Sequence, residues 1–293
     1  MMLRNLRGQA GGAALEDAFE VVDERTGAQL CSGRVEKRLN AQMYPGRGLR
    51  VGIRTSGAPN ELLMGALLAR ARQICSESAL NARIYASVRP DERQMIHFLS
   101  EFGLVNDDAR VCMRRELDDP KIIGQLPEGC RMKSDFLDSP EEQAYFLERF
   151  NKLYNTDHDL EWLNGFINRD DFMRIQAVAP DSLVSEVLVW RQGEVGVVGY
   201  LQTSLRWRRM GVAREMLKYA ARYFCECGLA DMAAAVHQSV PWLQRTFESA
   251  GFYQDEVLQR FPGMNYDPKP LPRPTSAARE SKPEALGFGL DRI

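Results

Sequence analysis

Apolar residues recur along the chain with two periods, and their order predicts strands alternating with helices. In the first half, short apolar or alternating runs predict strands at Ala18–Asp23, Ala28–Leu39, Leu49–Arg54, Ala82–Val88 and Ala109–Arg115, with an Arg25-Thr26-Gly27 hairpin turn between the first two. Helical spacing predicts Glu61–Ser76, announced by Pro59 and Asn60, and Asp91–Phe102 after Pro90. In the second half, Cys130–Phe136, Phe172–Val178, Leu183–Trp190, Val195–Gln202 and Ala233–Val236 read as strands. Ser139-Pro140-Glu141-Glu142 is a capping-box start for a helix to about Tyr154, burying Ala144, Phe146, Leu147, Phe150 and Leu153. Asp159–Phe166 is a further helix. Another begins at Val212, with Met216, Leu217 and Ala220 on its apolar face and Arg214, Glu215 and Lys218 off it. Pro241–Ala250 is the last helix, with Gly251 where a C′ residue belongs.

The two halves share a pattern. Val88 to Leu104 and Val236 to Phe252 span the same interval, with Met95 at the place of Leu243, Leu99 at Phe247 and Gly103 at Gly251. Between the halves, Glu116–Gly129 is polar and broken by Pro120 and Pro127, which marks a linker. From Met264 onward the chain is rich in proline and charge and reads as a flexible tail. The predicted units are therefore 1–117, a linker at 118–129, 130–263, and a tail at 264–293.

Composition adds limits rather than direction. A chain of 293 residues with 44% apolar and 27% charged residues is of globular type, and its length suits two domains. A net charge of −2 gives no polybasic footprint for nucleic acid or membrane. No apolar run approaches the ~20 residues needed to span a bilayer, and the N-terminus lacks the apolar core of a signal peptide. Six scattered cysteines and three histidines form no metal-ligand spacing, the Cys225/Cys227 pair included, so no metal and a cytoplasmic location are expected.

The most informative stretch runs from Val195 to Ala221. A buried strand ends at Gln202–Ser204, the helix begins near Val212, and between them lies Arg208-x-x-Gly211-x-Ala213. Small residues let backbone N–H groups approach a ligand, at a helix N-terminus that favours an anion. Arg206, Arg208, Arg209 and Arg214 add positive charge. The physical reading is a pyrophosphate cradle, against the plain alternative of a basic strand–helix turn.

Strand, [QR]-x-x-G-x-[GA] turn and amphipathic helix, followed by Val236 and Gly251-Phe252 at matching spacing, resemble the acyl-CoA-binding core of the GNAT acetyltransferases. The resemblance implies an α+β fold of two GNAT-like domains, each a central, mostly antiparallel sheet flanked by helices. It implies a degenerate first copy, because Thr55-Ser56-Gly57-Ala58-Pro59-Asn60 stands where the cradle should be and Pro59 lacks a donor. An unrelated α+β first half is the alternative. In the second copy it implies acetyl-CoA as co-substrate, held by Leu201, Gln202 and Thr203 along the strand and by Arg208, Arg209, Met210, Gly211, Val212, Ala213 and Arg214 in the turn. The implied reaction is acetyl transfer to a small-molecule or peptide amine.

Catalytic residues are less legible. Glu186, a carboxylate in the apolar strand V-S-E-V-L-V, is a candidate base if burial raises its pKa; a solvent-facing or arginine-paired carboxylate is the alternative. Carried over from the family, the proton-donating Tyr falls on Phe247, the early Asn on Val240 and the acidic residue of the cradle strand on Gly199. Phe cannot donate a proton, although a thiolate of pKa about 8.5 can leave without help. Tyr253 and Tyr219 are the replacement candidates. The family's acceptor cleft implies Tyr145, Tyr154, Asp157, His158, Asp159, Glu161 and Trp162 as recognition residues, with His158 otherwise a surface residue lacking a partner. Two other readings stay open: an acyl-CoA-binding module without turnover, and a nucleic-acid module on Arg206-Trp207-Arg208-Arg209, which the acidic net charge opposes. Nucleic acid and membrane are not expected as partners, and a homodimer is left open.

Overall fold

The structure is a computed structural model that describes residues 1–6, 17–39, 43–117 and 125–268. Met2–Asn5 (β1), Ala18–Val22 (β2), Gln29–Leu39 (β3) and Leu49–Gly57 (β4) form an antiparallel meander. Glu61–Ser78 (α1) then crosses over to Ala82–Ala86 (β5), which runs parallel to β4. Arg93–Glu101 (α2), Ala109–Glu116 (β6) and Arg131–Asp135 (β7) follow. Next come Pro140–Tyr154 (α3), Leu160–Ile167 (α4), Met173–Ala179 (β8), Ser182–Gln192 (β9) and Val195–Thr203 (β10). Val212–Glu226 (α5), Asp231–His237 (β11), Pro241–Ser249 (α6), Tyr253–Arg260 (β12) and Gly263–Tyr266 (β13) complete the chain.

Two sheets result, and the chain exchanges strands between them. The first has the order β1-β2-β3-β4-β5-β13, and the second β12-β6-β11-β10-β9-β8-β7. Ala109–Glu116, expected to end the first half, instead lies between β11 and β12, with Val111 and Met113 wholly buried in the second core. In return, Gly263–Tyr266, expected at the start of a tail, pairs antiparallel with β5. The tail from 269 on and linker residues 118–124 lie outside the described residues.

Local signals set the helices. Asn60 caps α1, its side chain accepting from the Leu63 amide at 3.0 Å, and Leu63, Met64, Leu67, Leu68 and Ala71 enter the first core. Ser139 caps α3 by accepting from the Glu142 amide. The Glu142 carboxylate turns instead to Lys133 and Arg174, so only half of the expected capping box forms. Phe146 and Leu147 are buried on α3, whereas Ala144, on the flank of that stripe, is exposed. The repeat seen in the sequence is structural. Leu104 donates its amide to the Leu99 carbonyl and Phe252 to Phe247, each at 3.1 Å, across Gly103 and Gly251 in left-handed conformation. Among the described residues, no helix is long and apolar enough to cross a membrane.

Candidate functional site

The site is organised by the parting of two parallel strands. β10 pairs with β11 only from Val195–Asp231 to Val198–Ala234. Beyond that β10 follows β9 alone, from Tyr200–Leu188 to Thr203–Ser185, after a bulge at Gly199. Trp190 lies against that bulge: a Cβ on Gly199 would stand 1.7 Å from its ring. The position where the resemblance calls for an acidic side chain is thus filled from the neighbouring strand by an indole.

After Thr203 the chain makes a 3-10 turn, Leu205–Trp207, and reaches α5 through two left-handed residues, Arg209 at φ +64° and Gly211 at φ +80°. Gly211 is the N-cap of α5 and supplies no side chain, so the first-turn amides have no side-chain acceptor. Successive amides at alternating handedness make a concavity suited to an anion. A left-handed arginine costs about 1–2 kcal/mol, strain of a kind that concentrates at ligand sites. Arg206, Arg208, Arg209 and Arg214 are all exposed around it. The Arg208 Nε donates to the Thr203 carbonyl at 3.1 Å, and Arg214 turns to Glu215 at 2.8 Å.

Glu215 corrects the reading that placed it off the buried face of α5. It is only 4% exposed, with Arg214 and Lys218 (3.2 Å) both on its Oε1. Helical spacing indicates the face but does not show that two neighbouring cations can fold over a carboxylate and enclose it.

The face of β9 and β10 away from α5 packs against α3 and α4. Gln202, Glu186 and Gln176 stand in register across three strands. Glu186 has no exposed surface; it is ion-paired with Arg149 of α3, 3.8 Å from Arg174, and accepts from Gln176 at 3.1 Å. Burial raises its pKa, against the opposing pull of the two arginines. A carboxylate so enclosed is the arginine-paired alternative, not a base open to an incoming amine. Above it, Tyr200 packs with Phe146, Phe150 and Tyr154, their centroids 5.4 to 6.2 Å from its own. Burial raises the pKa of Tyr154, with Arg208 opposing, so the phenol stays protonated at neutral pH.

The remaining expected residues separate. His158 is not a lone surface residue: it stacks on Trp162 with centroids 4.1 Å apart and an 11° interplanar angle. Asp159 caps α4 by accepting from the Trp162 amide at 2.9 Å. Tyr145 is 58% exposed beside Arg149, and Asp157 and Glu161 are exposed. Tyr253 falls at the wrong end of the sheet. Its register runs through Arg114 and Ala233 to Val197, so it lies roughly 13–20 Å along the strand direction from Leu201–Thr203. Phe247 is buried edge-on to Phe252 at 5.0 Å, and Val240 precedes α6 as its N-cap. No group of three or more His, Cys, Asp or Glu among the described residues could hold a metal.

No family model matches the chain, and no curated protein does. Solved structures do. A GCN5-related N-acetyltransferase from Sphaerobacter thermophilus matches over 86% of this chain and 81% of its own, at 14% identity and a TM-score of 0.50. A probable N-acyltransferase from Enterococcus faecalis matches over 85% of this chain and 63% of its own, at 10% identity and a TM-score of 0.51. A glucosamine N-acetyltransferase region of a fungal multi-domain beta-N-acetylglucosaminidase matches over 85% of this chain and 33% of its own, at 13% identity and a TM-score of 0.52. At such identities the likeness is one of fold, and that fold is a tandem GCN5-related N-acetyltransferase-like fold of two mostly antiparallel sheets flanked by helices.

Proposed function

We propose that the second half binds acetyl-CoA and transfers its acetyl group to an amine. The observation that carries this is the parting of β10 from β11 after Val198, beside a turn whose left-handed Arg209 and Gly211 lead into an uncapped helix N-terminus. The pyrophosphate would lie on the Arg208–Arg214 turn, with the pantetheine arm along Leu201, Gln202 and Thr203. The acceptor would approach from the Tyr154–Trp162 side. In the reaction the free amine attacks the thioester carbonyl, the C–S bond breaks, the nitrogen loses a proton to water in the cleft and the thiolate gains one. Tyr154 is the proposed donor of that last proton, being protonated, half-buried and close enough to Arg208 for its charge to be felt. Glu186 then acts by holding Arg149, not as the base. The sister structures named N-acetyltransferases support the reaction class at the level of fold.

Phe247 favours a second reading, in which the same site binds acyl-CoA without turnover, because its buried ring takes the place of the family's proton donor. Titration of acetyl-CoA into the wild type and an Arg208→Ala, Gly211→Asp variant tests the site. Micromolar binding lost in the variant supports it, and no binding to the wild type overturns it. Thiol release on a panel of amines separates the two readings.

A further inference from the structure

The first half has its own pair of parting strands. β4 and β5 run in register from Leu49–Ala82 to Ile53–Ala86, after which β4 continues to Gly57 along β3 alone. On the other side, the chain beyond β5 gives its outer edge to residues 260–262, through Ala86 to Pro262 and Val88 to Arg260. The two inner edges therefore face each other without a pairing strand among the described residues. Between them lies a cavity of about 260 Å³, lined by Met95 and Leu99 of α2, by Thr55, Ser56 and Ser87 of the strand ends, and by Glu92.

The lining selects against phosphate. It contains no cation, its one charged residue is a carboxylate, and the neighbouring helix start is occupied by the Asn60 cap and preceded by Pro59. What it offers is strand edge, a small apolar floor and one carboxylate, which is ion-paired with Arg89. Unpaired edges take up an extended chain through main-chain hydrogen bonds. The four-residue overhang Arg54–Gly57 is roughly 13 Å long, enough for the backbone of three or four ligand residues. Glu92 already accepts from the Arg89 amide at 3.1 Å and its Nε at 3.2 Å. A carboxylate has about four acceptor sites, so capacity is left for an ammonium.

We propose that this cavity binds the N-terminal end of a short extended peptide with small side chains, which adds as a strand between β4 and β5 with its ammonium on Glu92. The site is independent of the acetyl-CoA reading and stands if that reading falls. The test is titration of trialanine amide into the isotopically labelled full chain, followed by backbone amide shifts. Saturable shifts at residues 54–57 and 86–88 are expected, weakened about fivefold by Glu92→Gln or by N-acetylation of the probe, and abolished by Thr55→Trp, which fills the cavity. Should Thr55→Trp fail to fold, Ser87→Trp replaces it. Absence of saturable shifts, equal binding of the acetylated probe, or binding of pantetheine in preference to the peptide overturns the proposal.

Discussion

Replacing Gly199 by alanine should damage fold and site together, and the size of the effect can be worked from one contact. The new methyl carbon would sit 1.7 Å from the Trp190 ring, whereas unstrained carbons sit about 3.5–4.0 Å apart, so the indole must move by roughly 2 Å. It has little freedom to do so. Phe166 packs against it at 5.3 Å between centroids, the Arg169 guanidinium lies 4.6 Å from its centroid, and Gly199 itself belongs to a bulged strand paired with β9. Overpacking of this kind costs about 1–3 kcal/mol, and the rigid surroundings place this case at the upper end. At roughly 2–4 °C per kcal/mol, Tm should fall by about 6–12 °C. Trp190→Ala alone should cost about 3–5 kcal/mol through its cavity, and adding Gly199→Ala to it should cost little more. The assay is a double-mutant cycle by chemical denaturation, with acetyl-CoA titration of each folded variant. A coupling of about 2–3 kcal/mol is expected. Costs that add to within ~0.5 kcal/mol would refute the claim that this contact shapes the bulge.

Other consequences are testable with single variants. Tyr154→Phe should lower kcat by roughly 100-fold with little change in KM, and should remove an alkaline limb lying above the ordinary tyrosine pKa; an unchanged pH–rate profile would exclude the proton-donor role. His237 is driven down to about 4 by burial, with Arg110 and Arg50 adding to the shift and Asp108 opposing it, so the unfolded chain binds more protons between about 4 and 6.5. The stability held above pH 6.5 should therefore be lost as pH falls toward 4, by roughly 3 kcal/mol, and His237→Asn should flatten that slope in denaturation curves taken across the window. Truncation after Pro262 removes β13, bares the edge of β5 and uncovers the apolar floor under Met264 and Tyr266. It should cost about 2–4 kcal/mol, read as a lower Tm of the whole chain; an unchanged Tm would show that the strand exchange contributes nothing to stability.

The elements from β2 to α6 were legible because each is specified by its neighbours in the chain, whereas β1, β12 and β13 were not. Asn60 and Ser139 cap helices wherever those helices end up, Gly103 and Gly251 close α2 and α6 through the same bonds, and alternating apolar residues mark β6 and β10. The turn into α5 was legible for the same reason, since Gly211 and the start of the helix are adjacent in sequence. Position along the chain does not place the Tyr253 hydroxyl. The antiparallel return of β12 carries it to the far end of the sheet.

Sequence by itself determined the order of the helices and of the strands from β2 to β11, the internal repeat and the anion-suited turn, which rest on spacings of a few residues, but not β1, β12 or β13. Tertiary structure alone decided which sheet each strand joins, because β6 and β13 have patterns that suit either and only pairing partners choose between them. It also decided the access of Glu186 and Glu215, since enclosure by Arg149, Arg174, Arg214 and Lys218 depends on distances between side chains that no periodicity encodes.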